Sequence, residues 1–389
     1  MITLALAGKP NCGKSTFFKA ATLAHAEIAN YPFTTISANF GVGYVRTTCP
    51  CKELGLVCSA CQDGDRFVPI NIIDVAGLVP DAHKGRGLGN QFLDNLRQAD
   101  AIIHVVDASG ATDSEGNLLN PGAHDPLVDI AFLKFEMTMW VYGILDKHWG
   151  KLHRQAQTKG FLIHKGVAEV FTGLGVTPEE IRDAEMAAGI DLVHTDEQGL
   201  ISFCREIVKI SKPMIVVGNK VDAAPQELVA RLKTENMAFS SAAGELALRN
   251  ASNAHLIRYI PGDPTFSVVD EGSLSPAQKG GLAKIAATMK EFGGTGVQQS
   301  LNHAVYSLLD RIVVYPVEDE HHYCDGKGRV LPDAFLMKKG STPRDLAFQV
   351  HTDIGKGFLY AVDARTKMRV KDTHELKDGD IIRIVSTAK

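Results

Sequence analysis

The first seven residues after the initiator, ITLALAG, alternate bulky and small positions: Ile2, Leu4 and Leu6 are separated by Thr3 and Ala5. An apolar run of this kind predicts a strand covered on both faces, as in a parallel sheet. Comparable runs recur at VPINIID (68–74), AIIHVVD (101–107) and PMIVVGN (213–219), with a weaker one at NMAFSS (236–241). Helical periodicity lies between some of them, at KSTFFKAATLA (14–24), LGNQFLDNLRQA (88–99) and PQELVARLKTE (225–235). Strands alternating with helices predict a mainly parallel α/β sheet with helices on both faces.

One long interval breaks the alternation. Residues 126–210 contain no comparable strand, but PLVDIAFLKFEMTMWVYGILDKHW reads as a long helix. Further on, Thr177, Pro178 and Glu180 form a capping-box start, with Gly189 as a stop. From about residue 313 the texture changes again, to a small mixed β domain. It has one helix capped at Ser341 or Thr342, with Pro343 in its first turn, and KDGD as a late turn. The predicted organisation is therefore a nucleotide-type domain in two parts, 1–125 and 211–312, a helical insertion at 126–210 and a C-terminal domain at 313–389.

Length fits this division, since 389 residues make two or three domains. No signal segment and no window of about eighteen apolar residues is present, so a cytoplasmic monomer without membrane contact is expected. Net charge is −4, against a general nucleic-acid coat, but residues 333–389 carry eleven Lys/Arg and eight Asp/Glu. Four of the seven cysteines, Cys49, Cys51, Cys58 and Cys61, fall in CPCKELGLVCSAC. In a reducing compartment such clustering favours metal over disulfides.

Four motifs follow the predicted strands in order. GKPNCGKS (8–15) matches the phosphate-binding loop G-x-x-x-x-G-K-S between strand and helix. Its glycines let the backbone wrap phosphates, and Gly8, Lys9, Pro10, Asn11, Cys12, Gly13, Lys14, Ser15 and Thr16 are the contact candidates. Lys14 would reach the β and γ phosphates and Ser15 would bind Mg²⁺. DVAG (74–77) supplies Asp74, which would hold Mg²⁺ through water, and Gly77, whose amide would sense the γ phosphate. NKVD (219–222) closes the strand PMIVVGN: Asp222 can accept two hydrogen bonds from guanine, whereas adenine offers no such pair. Asn219 would brace the loop, and Lys220 would lie over the base. SSAAGE (240–245) adds Ser241 and Ala242, whose backbone amides would approach the guanine oxygen.

These stretches, with NYPFTTISAN (30–39), the continuation DVAGLVPDAHKGRGLGNQFLDNLRQADAIIHVVDAS and FLMKKGSTPRDLAFQVH (335–351), resemble the Obg-related GTPases, in the archaeal-type form of their YchF branch. The resemblance covers the whole chain. It implies a Ras-like P-loop G domain with a helical insertion, a C-terminal β-grasp TGS domain of ubiquitin-like fold, Mg²⁺-dependent hydrolysis of GTP to GDP, and a ribosome or ribosomal RNA as partner. It assigns Thr35, rather than Thr34, as the switch threonine that closes on Mg²⁺ and the γ phosphate. Many YchF relatives carry an altered base motif and prefer ATP, whereas NKVD is intact here, so GTP is expected. An ATPase of the YchF type and a nucleotide-gated RNA-binding module without turnover are the rival readings.

Leu78 stands where a water-orienting glutamine often sits and cannot position or deprotonate water, so a low intrinsic rate is expected. Asn11 either helps hold a K⁺ beside the phosphates, as related P-loops with asparagine here do, or braces the loop. His83 is a weaker candidate for approaching the water. His104 and Cys12 read as core fillers. The four cysteines either close round a structural Zn²⁺ or stay reduced on an insert. In ARTKMRVK, the residues Arg365, Lys367, Arg369 and Lys371 would share one face if the segment were a strand, as an RNA-tracking stripe or a solvated surface. Residues 147–165, with Lys147, Lys151, Arg154, Lys159 and Lys165, pose the same choice.

Overall fold

The computed structural model describes residues 1–23, 39–58, 60–75, 77, 95–158, 160–235 and 237–387. Thr34, Thr35, Leu78, His83, Lys159 and most of the predicted helix 88–99 lie outside the described residues. The main sheet is built from β1 (Thr3–Ala7), β2 (Phe40–Thr48), β3 (Cys61–Gln62), β4 (Asp65–Asp74), β5 (Ala101–Asp107), β6 (Met214–Asn219) and β7 (Ala238–Phe239), in the order β2-β4-β1-β5-β6-β7, with β3 on β4. β4, β1, β5, β6 and β7 run parallel, while β2 is antiparallel to β4 in a long hairpin. The register sets Leu6 beside Asp74 and Asp107 beside Asn219, so the ends of four strands meet on one edge.

Alternation along β1 divides the core. Leu4 and Leu6 join Ile70, Ile72, Ile103, Val105 and Val217 on one face, against Phe17 and Ala20 of helix α1 (Lys14–Thr22). Ala5 and Ala7 face the other way with Ile73 and Ile102. Their small size lets the helices between β5 and β6 approach the sheet closely. These are α3 (Pro126–Ala156), α4 (Ile163–Val170), α5 (Pro178–Ala188) and α6 (Glu197–Ser211). Leu133, Met137, Val141 and Leu145 form an apolar stripe on α3, and Leu200, Phe203, Cys204 and Ile207 form one on α6. α5 starts on the reciprocal Thr177–Glu180 capping box and ends at Gly189 with φ +66°. No described helix is long and apolar enough to cross a membrane.

Helix α7 (Gln226–Leu232) lies between β6 and β7; after β7 come α8 (Ala242–Asn253), a short ribbon of β8 (Ile257–Arg258) and β9 (Ser267–Val268), α9 (Pro276–Phe292) and α10 (Val297–Asn302). The C-terminal sheet has the order β11-β10-β14-β12-β13, from β10 (Arg311–Val317), β11 (Phe335–Lys338), β12 (Phe358–Asp363), β13 (Met368–Val370) and β14 (Ile381–Ser386). Helix α11 (Pro343–Val350) covers one face and is capped by Thr342, whose hydroxyl accepts from the Asp345 amide.

The basic stripe is not formed. Residues 364–367 are the turn between β12 and β13, Lys367 has φ +61°, and among the four cations only Arg369 lies in a strand. The turn breaks the two-residue alternation on which a shared face depends. Arg365 pairs with Glu53 at 2.8 Å, Lys367 lies over the Tyr323 ring and bonds the Glu320 carbonyl, and Arg369 stacks on Tyr360.

Phe203 is fully buried in the core of the helical unit. Its replacement in Phe203→Ala should cost about 3–5 kcal/mol, and loss of the cap in Thr177→Ala about 1 kcal/mol. Urea unfolding followed by far-ultraviolet circular dichroism checks both, and equal losses would contradict the packing described.

Candidate nucleotide site

The loop between β1 and α1 is held by close backbone contacts that only glycine allows. Gly8 has φ +149°, and a Cβ there would lie 2.2 Å from the Val105 carbonyl oxygen. Gly13 has φ +97°, and its Cβ would lie 2.3 Å from Nδ2 of Asn219. That asparagine joins two loops: Nδ2 donates to the Cys12 carbonyl at 3.2 Å, while Oδ1 accepts from the Ala242 amide at 3.0 Å and the Ser240 hydroxyl at 3.2 Å. Lys220, at φ +62°, sends Nζ to the Asn11 carbonyl at 2.6 Å and to Asp107 at 2.9 Å.

Lys14 is buried, and its Nζ donates to the Lys9 carbonyl at 2.7 Å. Ser15 is exposed in the first turn of α1. Asp74 closes β4, and its Oδ1 is buried with no hydrogen-bond partner among the described residues. Gly77 backs directly onto the loop, since a Cβ on it would lie 2.9 Å from Pro10 Cγ. Asn11 has φ +59° and donates through Nδ2 to the Gly116 carbonyl at 3.0 Å, leaving Oδ1 without a partner among the described residues. Cys12 is fully buried, and burial pushes its thiol up despite the nearby Lys14. His104 is 1% exposed on β5, and burial, with Lys134 and Lys14, pushes it down to about 3, so it is a neutral core residue.

One expectation needs correction, and the side chain of Lys9 is committed within the protein. It is buried, donates to the Thr112 carbonyl at 2.6 Å and pairs with Asp129 of α3 at 2.8 Å, while His124 meets the other Asp129 oxygen at 2.9 Å. Ser241 and Ala242 do not offer the expected free amides: Ser241 N donates to Thr295 O at 2.8 Å, and Ala242 N to Asn219. The start of α8 is tied inward, which occupies both donors. Asp222 itself lies exposed on the turn Val221–Ala223, with no partner among the described residues.

Sequence reasoning missed Asp107. Its carboxylate accepts from Ser109 Oγ at 2.5 Å, Thr112 Oγ1 at 2.8 Å and Lys220. Burial alone would raise its pKa, but these hydrogen bonds outweigh burial and hold it below the ordinary range. Its place at a strand end, like that of Asp74, was the available signal. Asp129 gave none, because 120 residues separate it from Lys9.

Far from this edge, at the base of the β2–β4 hairpin, the four clustered cysteines converge. Their sulfurs all lie within 4.8 Å of one another, with Cys49–Cys58 at 3.7 Å, Cys51–Cys61 and Cys51–Cys58 at 3.5 Å and Cys58–Cys61 at 3.3 Å, and none forms a disulfide.

Three family descriptions match in succession: a 50S ribosome-binding GTPase over residues 3–130, an Obg-like GTPase, YGR210-like, G4 motif-containing domain over 217–319, and a TGS domain over 324–386. A GTP-binding protein of Methanocaldococcus jannaschii is 48% identical over the full length of both chains. The chain belongs to the Obg-like GTPases of the YchF type. Among its relatives is the ribosome-binding ATPase YchF of Bacillus subtilis, 29% identical over 92% of this chain and 87% of that one. The crystal structure of a GTP-binding protein from Pyrococcus horikoshii, 40% identical, superposes with a TM-score of 0.77 over 99% of this chain and 100% of the other. This Obg-like GTPase is thus a P-loop nucleoside triphosphate hydrolase with a C-terminal TGS domain.

The Lys9–Asp129 pair is dry, with side chains 1% and 4% exposed. Asp129→Asn should therefore cost about 3–5 kcal/mol by leaving a buried ammonium without its counter-charge. The double variant Lys9→Met, Asp129→Leu should lose less than that single one. Urea denaturation of nucleotide-free protein measures both, and a double variant that loses as much as Asp129→Asn would show that the unpaired charge is not the cause of the loss.

Proposed function

We propose that this Obg-like GTPase prefers GTP, cycles slowly between GTP and GDP states, and carries that state to a ribosome. The intact Asn219–Lys220–Val221–Asp222 run carries the base assignment. Asn219 and Lys220 are spent on bracing the phosphate loop, which leaves the exposed Asp222 carboxylate as the group available to a base. Guanine offers it two donors on one edge, whereas adenine would leave the charge unmatched. The ribosome is carried over from the name of the Bacillus subtilis relative.

In this reading the backbone of Gly8–Gly13 and the first turn of α1 cradle the phosphates, and Lys14 leaves the Lys9 carbonyl for the β and γ oxygens. Ser15 and Asp74 hold Mg²⁺, with Thr35 joining them when the γ phosphate is present. The orphaned, buried Oδ1 of Asp74 and the exposed Ser15 hydroxyl fit a hard cation with oxygen ligands. Bound there, Mg²⁺ neutralises charge on the phosphate oxygens. Gly77 lies against Pro10, close enough for its amide to report the γ phosphate. The Gly116 carbonyl fixes the Asn11 carboxamide, and Oδ1, with no partner among the described residues, would face K⁺, which would add positive charge beside the phosphates.

We also assign the cysteine cluster to one structural Zn²⁺. A tetrahedron of Zn–S bonds about 2.3 Å long has edges of about 3.8 Å; four of the six sulfur separations are 3.3–3.7 Å and all six lie within 4.8 Å, so small shifts would meet it. Four protein ligands leave no open position, so the metal has no catalytic role.

The deciding experiment compares GTP and ATP hydrolysis with Mg²⁺ in KCl and in NaCl at equal ionic strength. Turnover faster on GTP and faster in KCl is expected. Asp222→Ala should weaken GTP binding about 100-fold with little change for ATP, and Asn11→Ala should abolish the KCl advantage. Equal use of both nucleotides by the unaltered protein would overturn the base assignment. Cosedimentation with ribosomes that ignores the bound nucleotide would overturn the switch.

A further inference from the structure

The cysteine segment has little regular structure of its own. It contains the four-residue helix α2 (Pro50–Glu53) and β3, held by bonds such as Cys49 N to Gly64 O and Leu56 N to Cys51 O at 2.8 Å each. What it does have is a neighbour. Cys49 and Cys51 are 0% and 3% exposed and pack in one apolar cluster with Tyr315, Val317, Leu331 and Ile381 of the C-terminal domain.

The alternation of β10 explains the contact. Ile312 and Val314 face α11 and the C-terminal domain's own core, so Val313, Tyr315 and Val317 face out of that domain and onto the G domain. Charged groups close the rim. Arg66, 4% exposed, donates to the carbonyls of Leu331 at 2.9 Å and Pro332 at 2.7 Å and lies 5.9 Å from the Tyr315 ring centre. Glu53, on α2, pairs with Arg365 of the β12–β13 turn. The Tyr315 hydroxyl is buried with no hydrogen-bond partner among the described residues. Thiolates bound to a metal are strong acceptors for such outer donors.

We propose that Zn²⁺ at Cys49, Cys51, Cys58 and Cys61 is the clasp by which the G domain holds its TGS domain, and that losing the metal frees that domain while sparing nucleotide binding. This rests on the zinc assignment above. The ligands on the buried side are themselves docking surface, so the loop order that the metal imposes is the order of the interface. The proposed nucleotide edge is remote: β4 runs ten residues from Asp65, beside the cluster, to Asp74, a span of about 30 Å.

The test uses the purified full chain. Elemental analysis should find a single zinc, removable by a strong chelator. Hydrogen exchange should then quicken about tenfold or more at residues 313–317 and 381–382, with the affinity for fluorescent GDP changed less than twofold. Cys58→Ser should reproduce the chelated state, and Glu53→Lys should loosen the same amides while retaining the zinc. If Cys58→Ser does not fold, chelation of the unaltered protein gives the same reading. A chain that neither contains zinc nor takes it up on titration overturns the site. Zinc released with no change at the C-terminal sheet overturns the clasp, as does loss of GDP binding along with the metal. Zinc-loaded protein that binds neither GTP nor GDP would overturn the proposed nucleotide function and leave the clasp standing.

Discussion

The carboxamide of Asn219 spans the two loops that the proposed nucleotide would touch together. One end donates to Cys12 in the phosphate loop and the other accepts from Ala242 and Ser240 at the start of α8. A short, neutral side chain with a donor and an acceptor on the same group is the requirement, and aspartate would set an acceptor against the Cys12 carbonyl. The bridge also dictates its surroundings. Gly13 cannot carry a side chain because Nδ2 occupies the space a Cβ would need, and the amide of Ala242 is consumed in holding Asn219 rather than facing outward. The separation of phosphate and base loops is thereby fixed before any ligand arrives.

Three lysines surround a loop whose natural ligand is an anion, and each ammonium is matched to a protein oxygen. Their partners are not equivalent. Lys14 is held by a neutral carbonyl, Lys220 by a carbonyl and the half-shared carboxylate of Asp107, and Lys9 by the buried carboxylate of Asp129 together with the Thr112 carbonyl. An ammonium leaves a neutral acceptor more readily than a desolvated carboxylate. In the proposed function Lys14 is therefore the one to exchange its partner for a phosphate, while Lys9 ties the loop to the first turn of α3. The helical unit is joined to the phosphate loop by charge as well as by the apolar cluster around Ala5 and Ala7.

Most of the frame was legible because its signals are local. The apolar runs became β1, β4, β5 and β6, and the capping boxes at Thr177 and Thr342 mark real helix starts. The strand-end positions of Asp74 and Asn219 followed from the same runs. What escaped the sequence depends on contacts between distant segments. Nothing about Lys9 announces Asp129, and a lysine in a phosphate loop reads naturally as a phosphate contact. The ARTKMRVK stripe failed for a different reason: its two-residue spacing is real, but a turn occupies Ala364–Lys367 and spacing alone does not say whether a segment is extended. At SSAAGE the order of motifs was informative, yet the inward pull of Thr295 on the Ser241 amide lies more than fifty residues away.

Strand β10 is buried on both faces, although it belongs to a sheet with a helix on only one side. The second face must therefore be covered by something outside the C-terminal domain, and the β2–β4 hairpin with its cysteine loop provides that cover. Because β4 begins at this contact and ends at Asp74, one continuous strand connects the domain interface to the nucleotide edge. β2 pairs with β4 along nearly its whole length, whereas β1 joins the other side only over Asn71–Asp74. At the end of the hairpin away from Asp74, Arg66 holds the C-terminal domain through the carbonyls of Leu331 and Pro332 and the ring of Tyr315.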